Sequence, residues 1–505
     1  MKRILLLTAM LLGLASIASA HSGKARFHVL IDTDGAADDL RTLCLLLANR
    51  EVEVLAVTSS TGALTPDRAA QKVAALTRSL YHEGIPVGVG RAVRAHAPAW
   101  RSHSEEVAWG EAPDTPQPLP AAAELICETL RDEEEKVFFI ALGALTNVQD
   151  ALAQDPSLAA RFDRIVWYNE SPQPLAGANY AADPEAARSV LASGIPVYVV
   201  SADPTSPLVI GPALLDSIAA VPTPYAARIV RTHRAEPLAQ LIDEQHLRAW
   251  DDLVAVYLFR PELFEVREVG CPSSEAPDSQ RGTNGRVFAC TLSDEVAGEA
   301  QAEMVAILRG KPDAENRVFY DFPVRYGDYA PDVVAIIDTA VARHGRSEWR
   351  AGVLTNELHG HLGIYATVGV KMGIRAREYF NIGVDDIEVV SYAGSKPPVS
   401  CMNDGLQVST GATVGHGLIS VAEELPTRPE ARFSFKGKTI RLALKPEYAD
   451  RIRRDVKRGI ELYGDLTEPY WLYVRGLALA YWRDFDRHEI FDLYVEQPDG
   501  LYTEK

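Results

Sequence analysis

The chain has few cysteines for its 505 residues, and none of the five stands in a CxxC pair. That removes the usual zinc-finger and thioredoxin-like readings. Basic charge is also scarce: Lys and Arg number 51 against 69 Asp and Glu, for a formal charge of −18. So acidic a surface repels phosphate backbones, which argues against nucleic acid as a partner and favours an uncharged or cationic small ligand. After residue 20 no apolar stretch approaches the ~20 residues a membrane-spanning helix needs, so no membrane partner is expected once that segment is removed. There is no internal repeat and no low-complexity tract, which excludes solenoids. The glycine-rich run Gly411 to Gly417 is not followed by Lys, so it lacks the cation of a nucleotide-binding P-loop.

What is present starts with a charged opening, Lys2 and Arg3, then an apolar stretch from Ile4 to Leu14 and the small residues Ala18-Ser19-Ala20. This pattern predicts a secretory signal peptide over residues 1–20 and a secreted, periplasmic mature protein. The length exceeds what one hydrophobic core usually organises, and predicts two domains, residues 24–320 and 330–505. Cys44 and Cys127 fall on apolar helix positions and read as core. Cys271 and Cys290 flank a Ser/Pro/Gly-rich segment that a disulfide could close in an oxidising compartment, which leaves Cys401 alone.

From Arg26 to about Val200, short apolar runs alternate with amphipathic stretches. Strands are predicted at Phe27–Ile31, Val52–Thr58, Val137–Leu142, Ile165–Tyr168 and Val197–Val200. Helices are predicted near Asp38–Ala48, Pro66–Tyr81, Ala121–Glu134, Asn147–Ala153 and Pro184–Ala192. Leu40, Leu43, Cys44 and Leu47 form one buried stripe at i, i+3, i+4 and i+7, and Asp183-Pro184-Glu185 supplies an N-cap, a first-turn proline and an acid. The alternation predicts an α/β fold, a mostly parallel sheet flanked by helices, followed by a smaller α+β domain. Ligands bind such sheets beyond the carboxyl ends of the strands.

Asp32-Thr33-Asp34-Gly35-Ala36-Ala37-Asp38-Asp39 follows the first strand and opens a helix, so four carboxylates converge with little Lys or Arg nearby in sequence. Mutual repulsion makes that costly unless a cation joins them. With no His or Cys close by, all-oxygen ligation favours a hard ion, calcium before magnesium. The plain alternative is that Asp38 and Asp39 cap the helix while the others face solvent.

These residues resemble the DxDxxxDD signature of the inosine-uridine type nucleoside hydrolases. Three later segments extend the resemblance, in the family's order: Leu142-Gly143-Ala144-Leu145-Thr146-Asn147, Ala178-Asn179 running to Asp183-Pro184-Glu185, and Trp250-Asp251-Asp252-Leu253. The resemblance implies calcium held by Asp34, Asp39, Asp251 and the backbone carbonyl of Leu142. It implies that Asp34 is also the general base toward the attacking water, with Asp38 and Asn179 on the ribose. Trp250 stands where many members carry histidine and is expected to stack on the base; Thr61 replaces a usual asparagine at the substrate, and Gly177 a usual glutamate. The implied reaction is calcium-dependent cleavage of the N-glycosidic bond of a nucleoside to free base and ribose, in a protein that is often a homo-oligomer.

Farther on, Glu357-Leu358-His359-Gly360-His361 and the run from Cys401 through Asp404, Gln407 and Thr410 to Gly417 resemble the FmdE family. His359, His361 and Cys401 are then candidate zinc ligands, against the plainer reading of turn histidines and an ordinary buried thiol. The Cys-Pro-Gly usual after the second histidine is Leu362-Gly363-Ile364 here. Two readings of other classes stay open on sequence: a non-catalytic periplasmic ribose- or nucleoside-binding protein, and an FmdE-like metal-binding accessory protein.

Overall fold

All seven side chains of β1 (Phe27–Thr33) are buried, as expected of a strand covered by helices on both faces rather than one. The computed structural model describes residues 25–94, 98, 101–111, 118–202, 208–269, 286–310, 318–319, 322–422, 426–496 and 502–504. Residues 1–20, expected to be a signal peptide, and the segment around Cys271 lie outside the described residues. The chain divides into two compact units, one over Ala25–Pro312 and the other beginning at Asp313. Among the described residues no helix is long and apolar enough to cross a membrane.

In the first unit, β1 pairs in parallel with β2 (Val52–Ser59), which pairs with β3 (Val87–Val89). On the other side of β1 lie β4 (Val137–Ala141), β5 (Phe162–Tyr168) and β6 (Val197–Ala202), also parallel. β8 (Val287–Leu292) continues the sheet, and β7 (Phe264–Val269) closes it antiparallel. The order is therefore β3-β2-β1-β4-β5-β6-β8-β7. Val29 and Ile31 pack against one layer of helices, which includes Ala37–Ala48 and Asp252–Phe259. Leu30 packs against the other, formed by Ala122–Asp132, Thr146–Gln154 and Pro184–Leu191. The strands and helices expected from Arg26 to Val200 are all present, with ends shifted by a few residues. The chain builds outward from β1 to β3, then returns to place β4 on the other flank of β1. The reversal opens a crevice beyond the carboxyl ends of β1 and β4.

The second unit has a six-stranded sheet of order β10-β9-β11-β12-β13-β14. β9 (Glu388–Ser391) and β10 (Ile419–Val421) are parallel; β11 (Glu430–Phe435), β12 (Lys438–Leu444), β13 (Phe491–Glu496) and β14 (Tyr502–Glu504) are antiparallel. Helices Ile337–His359, Ile364–Phe380, Met402–Thr410 and Glu468–Asp484 accompany it around one core, an α+β arrangement. The first of these helices ends at Gly360, whose φ of 78° is left-handed and suits glycine at a helix end.

Candidate active site

The acidic turn leaves the carboxyl end of β1 at the reversal point. Two of its aspartates, Asp34 and Asp39, are fixed by short-range bonds. Asp39 Oδ2 accepts from Thr33 Oγ1 at 2.6 Å and from the Asp34 backbone N–H at 2.9 Å, while Thr33 Oγ1 accepts from Gly35 N at 3.0 Å. Capping is not what Asp38 and Asp39 do: the N-cap of helix Ala37–Ala48 is Ala36, with no side-chain cap bond, and both acids lie in the first turn. Asp34 Oδ1 accepts from Ala36 N at 3.2 Å. The loops after β2 and β4 press against Asp34, and a Cβ at Gly62 or Gly143 would meet that side chain at 2.0 Å and 3.0 Å, so glycine there is a condition of the close approach.

Asp251 arrives from the other end of the unit, at the start of helix Asp252–Phe259. One carboxylate oxygen from each of Asp38, Asp39 and Asp251 falls within 4.8 Å of the others, and all three residues are buried. Asp38 Oδ2, Asp39 Oδ1 and Asp251 Oδ1 are buried with no hydrogen-bond partner. Burial pushes the Asp39 and Asp251 carboxyls well above the usual range, and their mutual repulsion with Asp34 and Asp38 adds to it. Asp34 stands beside the trio rather than within it. Burial, then the Asp38 charge, pushes its carboxyl up to about 7. Three orphaned carboxylate oxygens out of water are unfavourable without a cation, so this donor set fits a hard divalent ion.

The scarcity of basic residues expected here is corrected by Arg41, which is fully buried one turn into the same helix region. It does not neutralise the trio. Its Nε and Nη2 donate to Asp252 at 2.8 and 2.5 Å, its Nη2 also to the Arg248 carbonyl at 3.0 Å, and its Nη1 to His233 Nε2 at 2.9 Å. His233 directs Nδ1 to the Ile229 carbonyl at 2.9 Å. Burial, with Arg41 adjacent, lowers its pKa to about 3, so the ring is neutral and accepts. Asp252 thus takes up Arg41, the one buried Lys or Arg among the described residues of the first unit, and leaves the trio in surplus. The sequence signal was an arginine inside an otherwise apolar helix stripe.

The Leu142–Asn147 turn works as a lock. Asn147 Nδ2 donates to Asp32 Oδ2 at 2.5 Å and to the Ser59 carbonyl at 2.9 Å, and Thr58 Oγ1 donates to the same Asp32 oxygen at 2.6 Å. Thr146 Oγ1 donates to Asp183 Oδ2 at 2.8 Å, while Asp183 Oδ1 caps its own helix through Ala186 N. Asp32 therefore positions β1, β2 and β4, a role sequence reasoning missed. Asn179 donates its amide to the carbonyls of Leu142 at 2.9 Å and Tyr168 at 3.1 Å, which ties the two loops together. Thr61 Oγ1 accepts from Val93 N at 3.1 Å. Trp250 is half-buried and packs on the core. Tyr168 is buried near Asp251 and Asp38, and burial with those charges raises its phenol well above the usual value.

In the second unit His359, His361 and Cys401 do not bring ligand atoms within 4.8 Å of one another, so the zinc trio expected from sequence is not assembled. His359 Nδ1 donates to Asp404 Oδ2 at 2.7 Å and its ring lies against that of His361, with centroids 4.4 Å apart. Cys290 is a free, fully buried thiol, and its expected partner Cys271 lies outside the described residues.

Residues 29–317 match the family model described as inosine-uridine preferring nucleoside hydrolase. Residues 358–464 match the model described as FmdE, molybdenum formylmethanofuran dehydrogenase operon. The chain is similar to a pyrimidine-specific ribonucleoside hydrolase, RihA, of Klebsiella pneumoniae subsp. pneumoniae: 33% identity over 265 residues, 48% of this chain and 82% of that protein. RihA of Salmonella schwarzengrund is 32% identical over 259 residues, with the same coverage of 48% and 82%. A solved plant nucleoside hydrolase is 19% identical, with a TM-score of 0.46, over 55% of this chain and 99% of that one.

Proposed function

Because the chain belongs to the inosine-uridine preferring nucleoside hydrolase family, we propose that its acidic centre performs calcium-dependent hydrolysis of ribonucleosides to free base and ribose. The chain is a hydrolase acting on N-glycosyl bonds; the cation and the roles of single residues are the proposal. The observation that carries it is the meeting of Asp38 and Asp39 with Asp251, with one buried, unpartnered oxygen on each.

Asp39 and Asp251, with Asp34 and the Leu142 carbonyl, would hold the ion. When bound, calcium supplies positive charge that orients the ribose hydroxyls and acidifies water. The chain's own groups do the rest. An N-riboside loosens toward an oxocarbenium-like ribosyl before water captures it, and the surplus of carboxylates left by the Arg41–Asp252 pair favours that developing positive charge. Asp34 takes the proton of the attacking water. Asp38 binds the ribose hydroxyls. Asn179, held by two loop carbonyls, positions the loop that faces them. Trp250 offers a ring face for the base. We place the reaction outside the cytoplasm, on the secretory pattern of residues 1–20.

The test is to incubate the purified full chain with inosine, guanosine, uridine and cytidine and assay free ribose. Ribose release that stops in excess chelator and returns with calcium is the expected result. Undiminished release in chelator would remove the cation, and binding of nucleosides without any ribose would remove the reaction.

A further inference from the structure

Asp251 and the pair Asp38 and Asp39 come from segments far apart in the chain, and their carboxylates repel one another, so repulsion by itself would part the two segments. One buried side chain spans them. Arg41 stands three positions after Asp38 and two after Asp39 on helix Ala37–Ala48, and its guanidinium reaches the chain on both flanks of Asp251. On the C-terminal flank its Nε and Nη2 donate to Asp252 Oδ1 and Oδ2 at 2.8 and 2.5 Å; on the N-terminal flank Nη2 also donates to the Arg248 carbonyl at 3.0 Å. The chain is gripped immediately after Asp251 and three positions before it.

The grip is itself braced. Ala249 N donates to the Leu208 carbonyl at 2.8 Å and Ile210 N to the Leu247 carbonyl at 2.9 Å, so the Arg248 carbonyl between them is a fixed acceptor. The remaining guanidinium edge, Nη1, lies 2.9 Å from His233 Nε2, and the His233 ring meets the Trp109 ring edge-on with centroids 5.8 Å apart. Arg41, Asp252 and His233 are all fully buried. In that setting a planar fork serves a carboxylate bidentately and still reaches a carbonyl and an imidazole, which a single ammonium does not. A buried ion pair is weak evidence for stability alone, because its desolvation offsets much of its attraction. What this pair adds is a fixed place for the residue next to Asp252, which is Asp251.

We propose that Arg41 is a positioning residue of the acidic centre: through Asp252 and the Arg248 carbonyl it holds Asp251 within reach of Asp38 and Asp39, so that the donor set stands ready before an ion arrives. The inference rests on the calcium-dependent reading above and gives Arg41 no contact with ion or substrate. Donors held in place beforehand need not be gathered by the ion, and groups that orient metal ligands in this way typically change affinity by about 10–100-fold. Geometry rather than charge carries the effect. Lysine at position 41 would keep the charge and lose the fork.

The experiment titrates calcium calorimetrically into the chelator-stripped full chain, well below its thermal midpoint so that the variants are measured folded. Arg41→Lys, and Arg41→Met combined with Asp252→Leu, should each bind calcium about 10–100-fold more weakly than wild type, although the double variant keeps a thermal midpoint in chelator close to that of wild type. Leu43→Ala opens a cavity beneath the same helix, and should lower the midpoint while leaving calcium affinity unchanged. Should the double variant not fold, Arg41→Lys decides. A wild-type chain that binds no calcium overturns the calcium reading and this inference together. Wild type that binds calcium, with affinity unchanged in a folded Arg41 variant or lost equally in Leu43→Ala, overturns the role of Arg41 alone.

Discussion

Glu348 in the second unit is as deeply buried as Asp39 in the first, 0% and 1% exposed, yet their surroundings differ. Glu348 meets Lys371 Nζ at 2.5 Å and Arg487 Nη1 at 3.0 Å. Arg487 also grips Glu378 at 2.5 and 3.0 Å, and His488 bridges Glu378 and Asp486 at 3.0 Å each. Every acid there has a cation from the same chain. Asp39 has two short-range donors and no cation, because the one buried cation of its region, Arg41, is taken by Asp252. Charge balanced within the chain holds a fold together, whereas charge left in surplus marks where something else must bind.

The comparison breaks most visibly at the trio. Asp251→Asn and Asp39→Asn should each lower nucleoside hydrolysis on the order of 10³-fold, the scale of several kcal/mol of lost electrostatic stabilisation. With chelator present throughout, the thermal midpoint of the first unit should hold or rise in each variant relative to wild type, because the substitution relieves the repulsion. A marked fall in that midpoint would show these carboxylates to be balanced after all. Next in size, Glu348→Gln should destabilise the second unit by about 3–5 kcal/mol, since it takes from the buried Lys371 its carboxylate, and denaturant unfolding checks it. Arg41→Met leaves Asp252 buried and unpaired, for a loss of about 3 kcal/mol that Arg41→Met with Asp252→Leu should largely restore. Failure of that rescue would mean Arg41 serves the trio directly.

Two smaller effects sharpen the contrast. Trp250→Ala should cost about 1–3 kcal/mol in kcat/KM through lost base stacking, with calcium affinity unchanged. The balanced network should also give the second unit a stability plateau in pH. Against the burial that would raise it, Arg487 holds the Glu378 carboxyl well below its ordinary 4.5. That stability is therefore present above pH 4.5 and is lost as pH falls toward the depressed value. Burial works against the His488 charge, but Asp486 and Glu378 raise its pKa above 6.5. Its share is complete below pH 6.5 and disappears as pH rises through the raised value. Thermal midpoints against pH should fall on both sides of that interval, and His488→Gln should abolish the alkaline fall and lessen the acid one, since His488 also helps to depress Glu378 and Asp486.

Local pattern carried much of this into view. The stripe Leu40, Leu43, Cys44 and Leu47 is buried as its spacing requires, and Asp183 caps its helix as its place before Pro184 requires. β3, only three residues long, and the antiparallel β7, with four exposed residues in its middle, lack a run distinctive enough to read. The arginine at position 41 was visible but not its partner, and Asn179 was visible but not the two carbonyls that occupy its amide.

The amino-acid sequence determined the alternation of strands and helices, the density of acid after β1 and the all-oxygen character of the donors, because each is set within a few residues by periodicity of 2 or 3.6 and by side-chain chemistry. The tertiary structure decided which of those groups meet. Arg41 finds Asp252 across 211 positions, Asp251 joins Asp38 and Asp39, and His359 meets Asp404 across 45. Those pairings follow from the reversal that sets β4 beside β1 and from packing around each core, and neither is written in any short stretch of chain.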